Sequence, residues 1–165
     1  MGEEGQGAVK LRLICVGKLS ESYLRDGAED FSTRITRYLP FTILELKEEK
    51  GGKKQEPQFI REREGERILS KIPAESFVIA LDEKGKRLGS EELAEFLGRH
   101  MVQSTQEMVF IIGGAYGLSN QVRQRANEIL SLSPMTFTHQ MARLILLEQI
   151  YRGMTILRNE PYHNR

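Results

Sequence analysis

Apolar residues along this chain follow two periods, one typical of strands and one typical of helices. Short runs rich in β-branched and aromatic residues predict strands at residues 9–16, 41–46, 76–81 and 108–112. Between these runs, apolar residues recur at three- and four-residue spacing and predict helices. The helices are expected to begin at Ser20 or Ser22, at Pro57, at Ser90, and at Ser119 or Asn120, the last of these running to Leu130.

Alternating strands and helices predict an α/β three-layer sandwich with a mainly parallel sheet. The segment Met108–Ile112 is the most uniformly apolar of the strands, so we expect it at the centre of that sheet. Residues 1–8 are acidic and glycine-rich and are expected to form a flexible lead-in. Residues 9–165 are expected to form one domain, because the chain shows no internal repeat and no linker.

The last quarter of the chain has three parts of different character. A polar and apolar loop covers residues 131–140, an unusually apolar helix follows at residues 141–152, and a tail closes the chain at residues 161–165. The helix places apolar and polar residues on adjacent stripes, which is unusual for an ordinary surface helix. The tail carries an aromatic ring, an imidazole and a cation within four residues. This order predicts a site at the carboxyl end.

Composition excludes several classes of protein. The 39% hydrophobic and 28% charged residues are those of a globular protein. No apolar run approaches the roughly 20 residues of a membrane span. The amino terminus is the opposite of a signal peptide, and the single cysteine fits a reducing cytoplasm.

Charge is distributed unevenly although the net charge is only +1. From Asn120 onward there are six arginines and three glutamates, with no lysine or aspartate. Ordinary scatter explains this about as well as function does. An arginine-only cationic end is also what recognition of phosphates or planar bases would use, because the guanidinium binds bidentately and stacks.

Three segments compete for the place where open parallel sheets bind ligands, beyond the carboxyl ends of the strands. They are the strand end at Leu81, the glycine-rich turn at residues 113–117, and the loop at residues 132–137. The turn lacks the dinucleotide-binding spacing of glycines, so a tight structural turn and a ligand cradle remain equally open. The apolar side chains of the loop fit the core at least as well as they fit the wall of a slot.

Few residues suit direct catalysis. Three histidines and one cysteine offer no metal-ligand spacing, so no metal site is expected. Cys15 lies inside a strand and is not a candidate nucleophile. His100 is expected to be structural, and His139 is expected to hold the preceding loop by a hydrogen bond. The reactive group is therefore expected to come from a cofactor.

Four motifs in order resemble one known family. They are residues 110–118 (FIIGGAYGL), 132–140 (LSPMTFTHQ), 148–152 (EQIYR) and 161–163 (PYH). Together they resemble the small SPOUT-class RNA methyltransferases, and among these the bacterial enzymes that methylate N3 of a pseudouridine in large-subunit ribosomal RNA. The resemblance covers the chain from about Val9 to His163.

The resemblance implies properties that the patterns do not. It implies a carboxyl-terminal trefoil knot, a homodimer with the last helix in its interface, and a pocket for S-adenosylmethionine. The residues expected to hold this cofactor are Leu81, Gly113, Leu132, Ser133, Pro134, Met135, Thr136 and Phe137. One departure is Thr138, where close relatives often have proline; threonine is a good helix cap, so the change should be tolerated.

The same resemblance implies roles for the end of the chain. Arg152 is expected to stabilise charge on the target base, His163 to accept its proton, and Tyr162 to stack on it or donate a hydrogen bond to it. Arg143 is expected to contact RNA or, equally, to pair with Glu148. No separate RNA-binding module is visible, so the substrate is expected to be an RNA loop in the assembled ribosome. The alternatives are a ribosome-associated dimer without activity and a flavodoxin-like nucleotide-binding protein.

Overall fold

The computed structural model describes residues 9–50, 56–103 and 105–164. The predicted lead-in at residues 1–8 and the terminal Arg165 lie outside the described residues. The strands are β1 (Lys10–Val16), β2 (Phe41–Leu46), β3 (Phe77–Arg87), β4 (Glu107–Ile112) and β5 (Glu128–Ser131). The helices are α1 (Ser22–Thr36), α2 (Pro57–Leu69), α3 (Ser90–Val102), α4 (Asn120–Arg125) and α5 (His139–Leu157).

The five strands form one sheet in the order β2-β1-β4-β3-β5, and each neighbouring pair is parallel. β4 occupies the centre, as its uniform apolar composition predicts. Its residues Met108 to Ile111 are at most 1% exposed. The prediction of an α/β fold with a mainly parallel sheet is confirmed.

Helices cover both faces of the sheet because its strand residues are apolar on both sides. On one face, Leu13, Phe110 and Ile79 pack in a core with α1, α3 and α5. On the other face, Ile14, Val78 and Val109 pack with Ile68 of α2 and Val122 of α4. The molecule therefore has three layers, with α5 buried between α1 and α3 on one side of the sheet.

The helix predicted from Ser119 or Asn120 to Leu130 is wrong in its second half. α4 ends at Arg125, and residues 128–131 form the edge strand β5. Asn127 explains the change, because its backbone N–H donates to Val78 O (2.8 Å) and its side-chain oxygen accepts from Val78 N (2.8 Å). These two hydrogen bonds align the segment with β3, and Ile129 and Leu130 then pack on opposite faces of the sheet.

The third strand is longer than predicted. The sequence predicts its end at Leu81, but the strand continues to Arg87, because Lys86 and Arg87 pair with Leu130 and Ser131 after an irregularity between Leu81 and Lys86. Charged residues can occupy this extension because most of them are exposed. The trefoil knot stays a prediction from the resemblance.

Candidate functional site

A pocket of about 1200 Å³ opens beside residues 81–84 of β3 and the carboxyl ends of β4 and β5. Leu81 lies in β3, Gly113 follows β4, and Leu132 follows β5. The three segments that compete in the sequence therefore meet at one place. The pocket is larger than the roughly 300–1,000 Å³ of a typical small-molecule site. It has room for a nucleoside-sized ligand and part of a second one.

The glycine-rich turn forms one wall of this pocket. Gly117 N donates to Gly114 O (3.0 Å), and Gly117 has φ +84°, a conformation that favours glycine. A Cβ on Gly113 would come within 2.8 Å of the Gly117 backbone. These two glycines are therefore explained by the turn itself, and the turn also shapes the pocket.

The loop at residues 132–137 forms the opposite wall. Ser133 accepts hydrogen bonds at its carbonyl oxygen from Ser131 Oγ (2.9 Å) and at its Oγ from Met135 N (3.0 Å), which holds the loop in shape. Among the described residues, the backbone groups of Leu132, Thr136 and Phe137 have no hydrogen-bond partner. Unpaired donors and acceptors beside apolar side chains suit a planar, polar-edged ligand such as a nucleobase.

Seven of the eight residues predicted to hold the cofactor line this pocket. Pro134 is exposed and is not on the wall. Met135 is 71% exposed and Thr136 is also exposed, so the loop forms an exposed edge of the pocket and is not part of the core. Of the two interpretations of the loop, wall of a slot or part of the core, the structure favours the slot.

Charged residues on the rim of the pocket are absent from the sequence-based site. Asp82 pairs with Arg123 of α4 and accepts a hydrogen bond from Lys84 N (2.7 Å). Burial favours a raised pKa for Asp82, but these two partners outweigh it and hold the pKa below its ordinary value. Glu83 accepts a hydrogen bond from Thr136 Oγ1 (2.6 Å), which ties β3 to the loop. Their position directly after Leu81 is the only signal in the sequence that points to them.

The predicted catalytic residues form a second cluster on α5 and the tail. Glu148 Oε1 accepts hydrogen bonds from Arg152 Nε (3.1 Å) and from Tyr162 OH (3.0 Å). Arg152 Nη1 lies 3.1 Å from His163 Nδ1, and its guanidinium lies 4.8 Å from the centre of the Tyr162 ring. The hydrogen bond to Glu148 raises the pKa of Arg152, and burial followed by the same carboxylate raises the pKa of Tyr162.

The tautomer of His163 follows from this geometry. A guanidinium can only donate, so His163 Nδ1 accepts and the neutral ring carries its proton on Nε2. His163 Nε2 lies 3.7 Å from Glu91 Oε1. In this arrangement His163 can accept a proton only after Nδ1 leaves Arg152.

The two clusters are separate within one chain. None of Arg152, Tyr162 and His163 lines the pocket. Ala142 is the last residue of α5 that lines the pocket, and Arg152 follows ten positions later on the same helix. At 1.5 Å per residue, this places Arg152 about 15 Å farther along α5. The structure therefore does not bring the predicted catalytic residues to the predicted cofactor residues within a protomer.

Comparison with known proteins identifies the family. Residues 9–163 match the family described as "Predicted SPOUT methyltransferase". The chain belongs to the SPOUT methyltransferase family. The match leaves out only the first eight residues and the last two, and it includes the pocket, α5 and both named tail residues.

Two relatives of this SPOUT chain carry the name "Ribosomal RNA large subunit methyltransferase H". The protein of Syntrophotalea carbinolica is 64% identical over 157 residues, which are 95% of this chain and 100% of the relative. The protein of Trichlorobacter lovleyi is 51% identical over 156 residues, 94% of this chain and 100% of the relative. A solved structure from Haemophilus influenzae, a probable methylase family protein, is 13% identical with a TM-score of 0.54. It covers 95% of this chain and 71% of its own and supports the fold.

Other residues of the SPOUT chain that the sequence singles out have structural roles or no partner. Arg143 is 2% exposed, pairs with Glu45 and donates to Gly17 O (2.8 Å), so both expected roles, RNA contact and pairing with Glu148, are wrong. His139 has no hydrogen bond among the described residues, and Thr138 caps α5 instead by accepting from Met141 N (3.1 Å). His100 packs 4.1 Å from the Phe77 ring and 4.9 Å from the Phe96 ring, as a structural residue does.

Two further features concern chemistry. Burial raises the pKa of Cys15 to about 11, so this thiol stays protonated at neutral pH and is a poor nucleophile. Within residues 9–50, 56–103 and 105–164, no three histidine, cysteine, aspartate or glutamate side chains are grouped to hold a metal ion. In the same part of the chain, no helix is long and apolar enough to cross a membrane.

Proposed function

We propose that this protein transfers a methyl group from S-adenosylmethionine to N3 of a pseudouridine in large-subunit ribosomal RNA. Membership of the SPOUT family and relatives named as ribosomal RNA methyltransferases at 64% and 51% identity support methyl transfer to ribosomal RNA. The pseudouridine and its N3 atom come from the resemblance of the four motifs. Action on ribosomes would place the protein in the cytoplasm.

The pocket at the strand ends is the proposed cofactor site. The free backbone groups of Leu132, Thr136 and Phe137 fit the polar edge of an adenine, and the apolar walls fit its faces. The turn at Gly113 lets the backbone approach closely. When bound, S-adenosylmethionine supplies an electrophilic methyl group. The protein supplies alignment, which is the largest part of the expected rate gain.

The active site is proposed to be shared between two protomers. The single observation that carries this is the separation of about 15 Å along α5 between the pocket and Arg152. In a twofold dimer, each tail can reach the partner's pocket. Met141, Ile145 and Tyr151 of α5 are only half-buried within one chain, and this apolar surface fits an interface with a second copy.

The tail residues then act on the target base. N3–H of a pseudouridine is protonated at neutral pH, so the site must favour loss of that proton. Arg152 would stabilise the negative charge on the neighbouring carbonyl oxygens. His163, once released from Arg152, would accept the proton. Tyr162 would stack on the base or donate a hydrogen bond to it.

Titration calorimetry with S-adenosylmethionine and ribosomal RNA analysis test this function together. We expect saturable binding of the cofactor by the purified protein. We also expect mass spectrometry of ribosomal RNA from cells lacking the protein to show loss of one methylated pseudouridine. An unchanged level of methylated pseudouridine contradicts the assigned substrate, and absence of cofactor binding contradicts the enzyme.

The form of the substrate has a test of its own. The chain shows no separate RNA-binding module, so we expect the RNA to be recognised by its shape in the assembled ribosome. Methyl transfer to intact ribosomes should then be much faster than transfer to protein-free ribosomal RNA. Faster methylation of short free RNA contradicts this expectation.

A further inference from the structure

Two tyrosines at the pocket differ from the other three in the chain. Tyr23 is 63% exposed and Tyr116 is 50% exposed, and both line the pocket. Tyr38, Tyr151 and Tyr162 each contact another aromatic ring or an arginine. Among the described residues, the side chains of Tyr23 and Tyr116 have no ring contact, no cation–π contact and no hydrogen bond. A single exposed ring needs no explanation, but two free rings from different elements at one pocket do.

The two tyrosines come from different elements of the chain. Tyr23 stands in the first turn of α1, and Tyr116 stands in the turn between β4 and α4. Ser20, Tyr23 and Gln140 line the pocket and are not among the residues assigned to the cofactor. Since the cavity of about 1200 Å³ exceeds one small-molecule site, the pocket has space for a second ring system beside the cofactor.

The side-chain amide of Gln140, which also lines the pocket, is held in place. Gln140 Oε1 accepts hydrogen bonds from Ser20 N (2.9 Å) and from Ser20 Oγ (3.0 Å). The backbone N–H can only donate, so it identifies the bonded atom as the oxygen and leaves the side-chain NH₂ group as the free end. This NH₂ has no partner among the described residues. Two fixed donors suit the carbonyl oxygens of a pyrimidine base.

Charge decides against phosphate as the group bound here. The charged side chains that line the pocket are the acids Glu21, Asp82 and Glu83 and the bases Lys84 and Arg123. Asp82 and Arg123 neutralise each other, and the remainder is not cationic. Stacking on an aromatic ring needs no positive charge and tolerates any base, whereas phosphate recognition needs cations.

We infer that Tyr23 and Tyr116 form a stacking platform for an unpaired nucleobase of the RNA substrate, with Gln140 donating to its carbonyl edge. This inference rests on the proposed function and extends it to the residues that bind the RNA. It also accounts for a compact chain that binds RNA without a separate module. An unpaired base in a loop can reach the platform, whereas a base within a duplex cannot.

The test compares ribosome binding by the wild-type protein and a Tyr23→Ala/Tyr116→Ala variant. Binding is measured by co-sedimentation without S-adenosylmethionine, so it does not depend on methyl transfer. Loss of both rings should weaken binding roughly tenfold or more, and Tyr23→Phe/Tyr116→Phe, which keeps both rings, should restore it. Phe59→Ala is the matched control, since Phe59 is an exposed ring outside the pocket, 37% accessible.

Each outcome has a defined meaning. Unchanged ribosome binding by the double alanine variant overturns the inference. A matching loss of cofactor affinity in calorimetry assigns the rings to the cofactor, and a shift to monomer in sedimentation assigns them to the second protomer; either result overturns it. Wild-type protein that fails to bind ribosomes overturns the inference and the substrate together. Wild-type protein that binds ribosomes and cofactor but transfers no methyl group overturns the proposed function alone.

Discussion

At the scale of single residues, Glu148 organises the end of the chain. One of its oxygens holds both Arg152 and Tyr162, and the other accepts from Gln149 Nε2 (2.7 Å). A charged acceptor makes stronger hydrogen bonds than a neutral one. The orientation of the two proposed catalytic side chains therefore depends on a carboxylate that need not touch the substrate.

Glu148→Gln should separate positioning from cofactor binding. The substitution keeps the shape but removes the charge that holds Arg152 and Tyr162, so we expect kcat to fall by about tenfold while the Kd for S-adenosylmethionine is unchanged. Glu160→Gln is the control, because Glu160 lies beside the tail but accepts from Tyr38 OH instead (2.6 Å). Equal losses of kcat in the two variants would show that Glu148 has no special role.

At the scale of elements, the ion pair between Asp82 of β3 and Arg123 of α4 fixes the rim of the pocket. The pKa of Asp82 is lowered in the folded protein, so its ionised form stabilises the fold. That contribution is fully present above the unfolded pKa of about 3.9 and is lost as the pH falls through the lower folded value.

Asp82→Asn should therefore lower the unfolding temperature at pH 7 and have a smaller effect near pH 3. Thermal unfolding of both proteins at the two pH values measures the difference. Asparagine can still accept from Lys84 N, so the comparison isolates the ion pair with Arg123. An equal shift of the unfolding temperature at both pH values contradicts this account.

The start of α5 gives a second prediction at this scale. Thr138 accepts from Met141 N and has φ −59°, a value that proline also adopts. Thr138→Ala should cost about 1 kcal/mol of unfolding free energy through loss of the cap. Thr138→Pro should cost less, because proline also restricts the unfolded chain. Urea unfolding that ranks proline below alanine contradicts this.

Most helices and strands can be predicted from the sequence because their apolar pattern extends over enough residues to be recognised. The uniformly apolar composition of β4 predicts its central place, and the amphipathic patterns of α1 and α3 predict both helices. Residues 128–131 are too short to show alternation, so β5 is mistaken for the end of a helix. The extension of β3 beyond Leu81 carries charges and depends on pairing with β5, which no local pattern shows.

The site is only partly readable for a different reason. The composition of the loop at residues 132–137 by itself favours the core, and only the family resemblance favours the slot. Tyr23 and Tyr116 belong to no motif, and only the fold brings them to one pocket. The length of α5 places Arg152 away from that pocket within one chain. The sequence shows this distance but not that a second protomer could bring its own Arg152 to the pocket.

At the scale of the whole molecule, the central claim is that the pocket of one protomer works with the tail of its partner. Heterodimers of differently tagged chains test it most directly. Thr136→Trp fills an exposed wall of the pocket, with loss of cofactor binding checked by calorimetry, and Arg152→Ala removes the proposed electrostatic group. The homodimer of either single variant should be inactive.

The decisive measurement is methyl transfer to ribosomes by two heterodimers. A chain with Thr136→Trp paired with a chain with Arg152→Ala should regain about half of the wild-type rate, because one of its two shared sites is intact. A chain with both substitutions paired with a wild-type chain should be inactive, because each shared site then contains one defect. Activity in the second heterodimer and none in the first would contradict the account, since it would place the whole site within one chain.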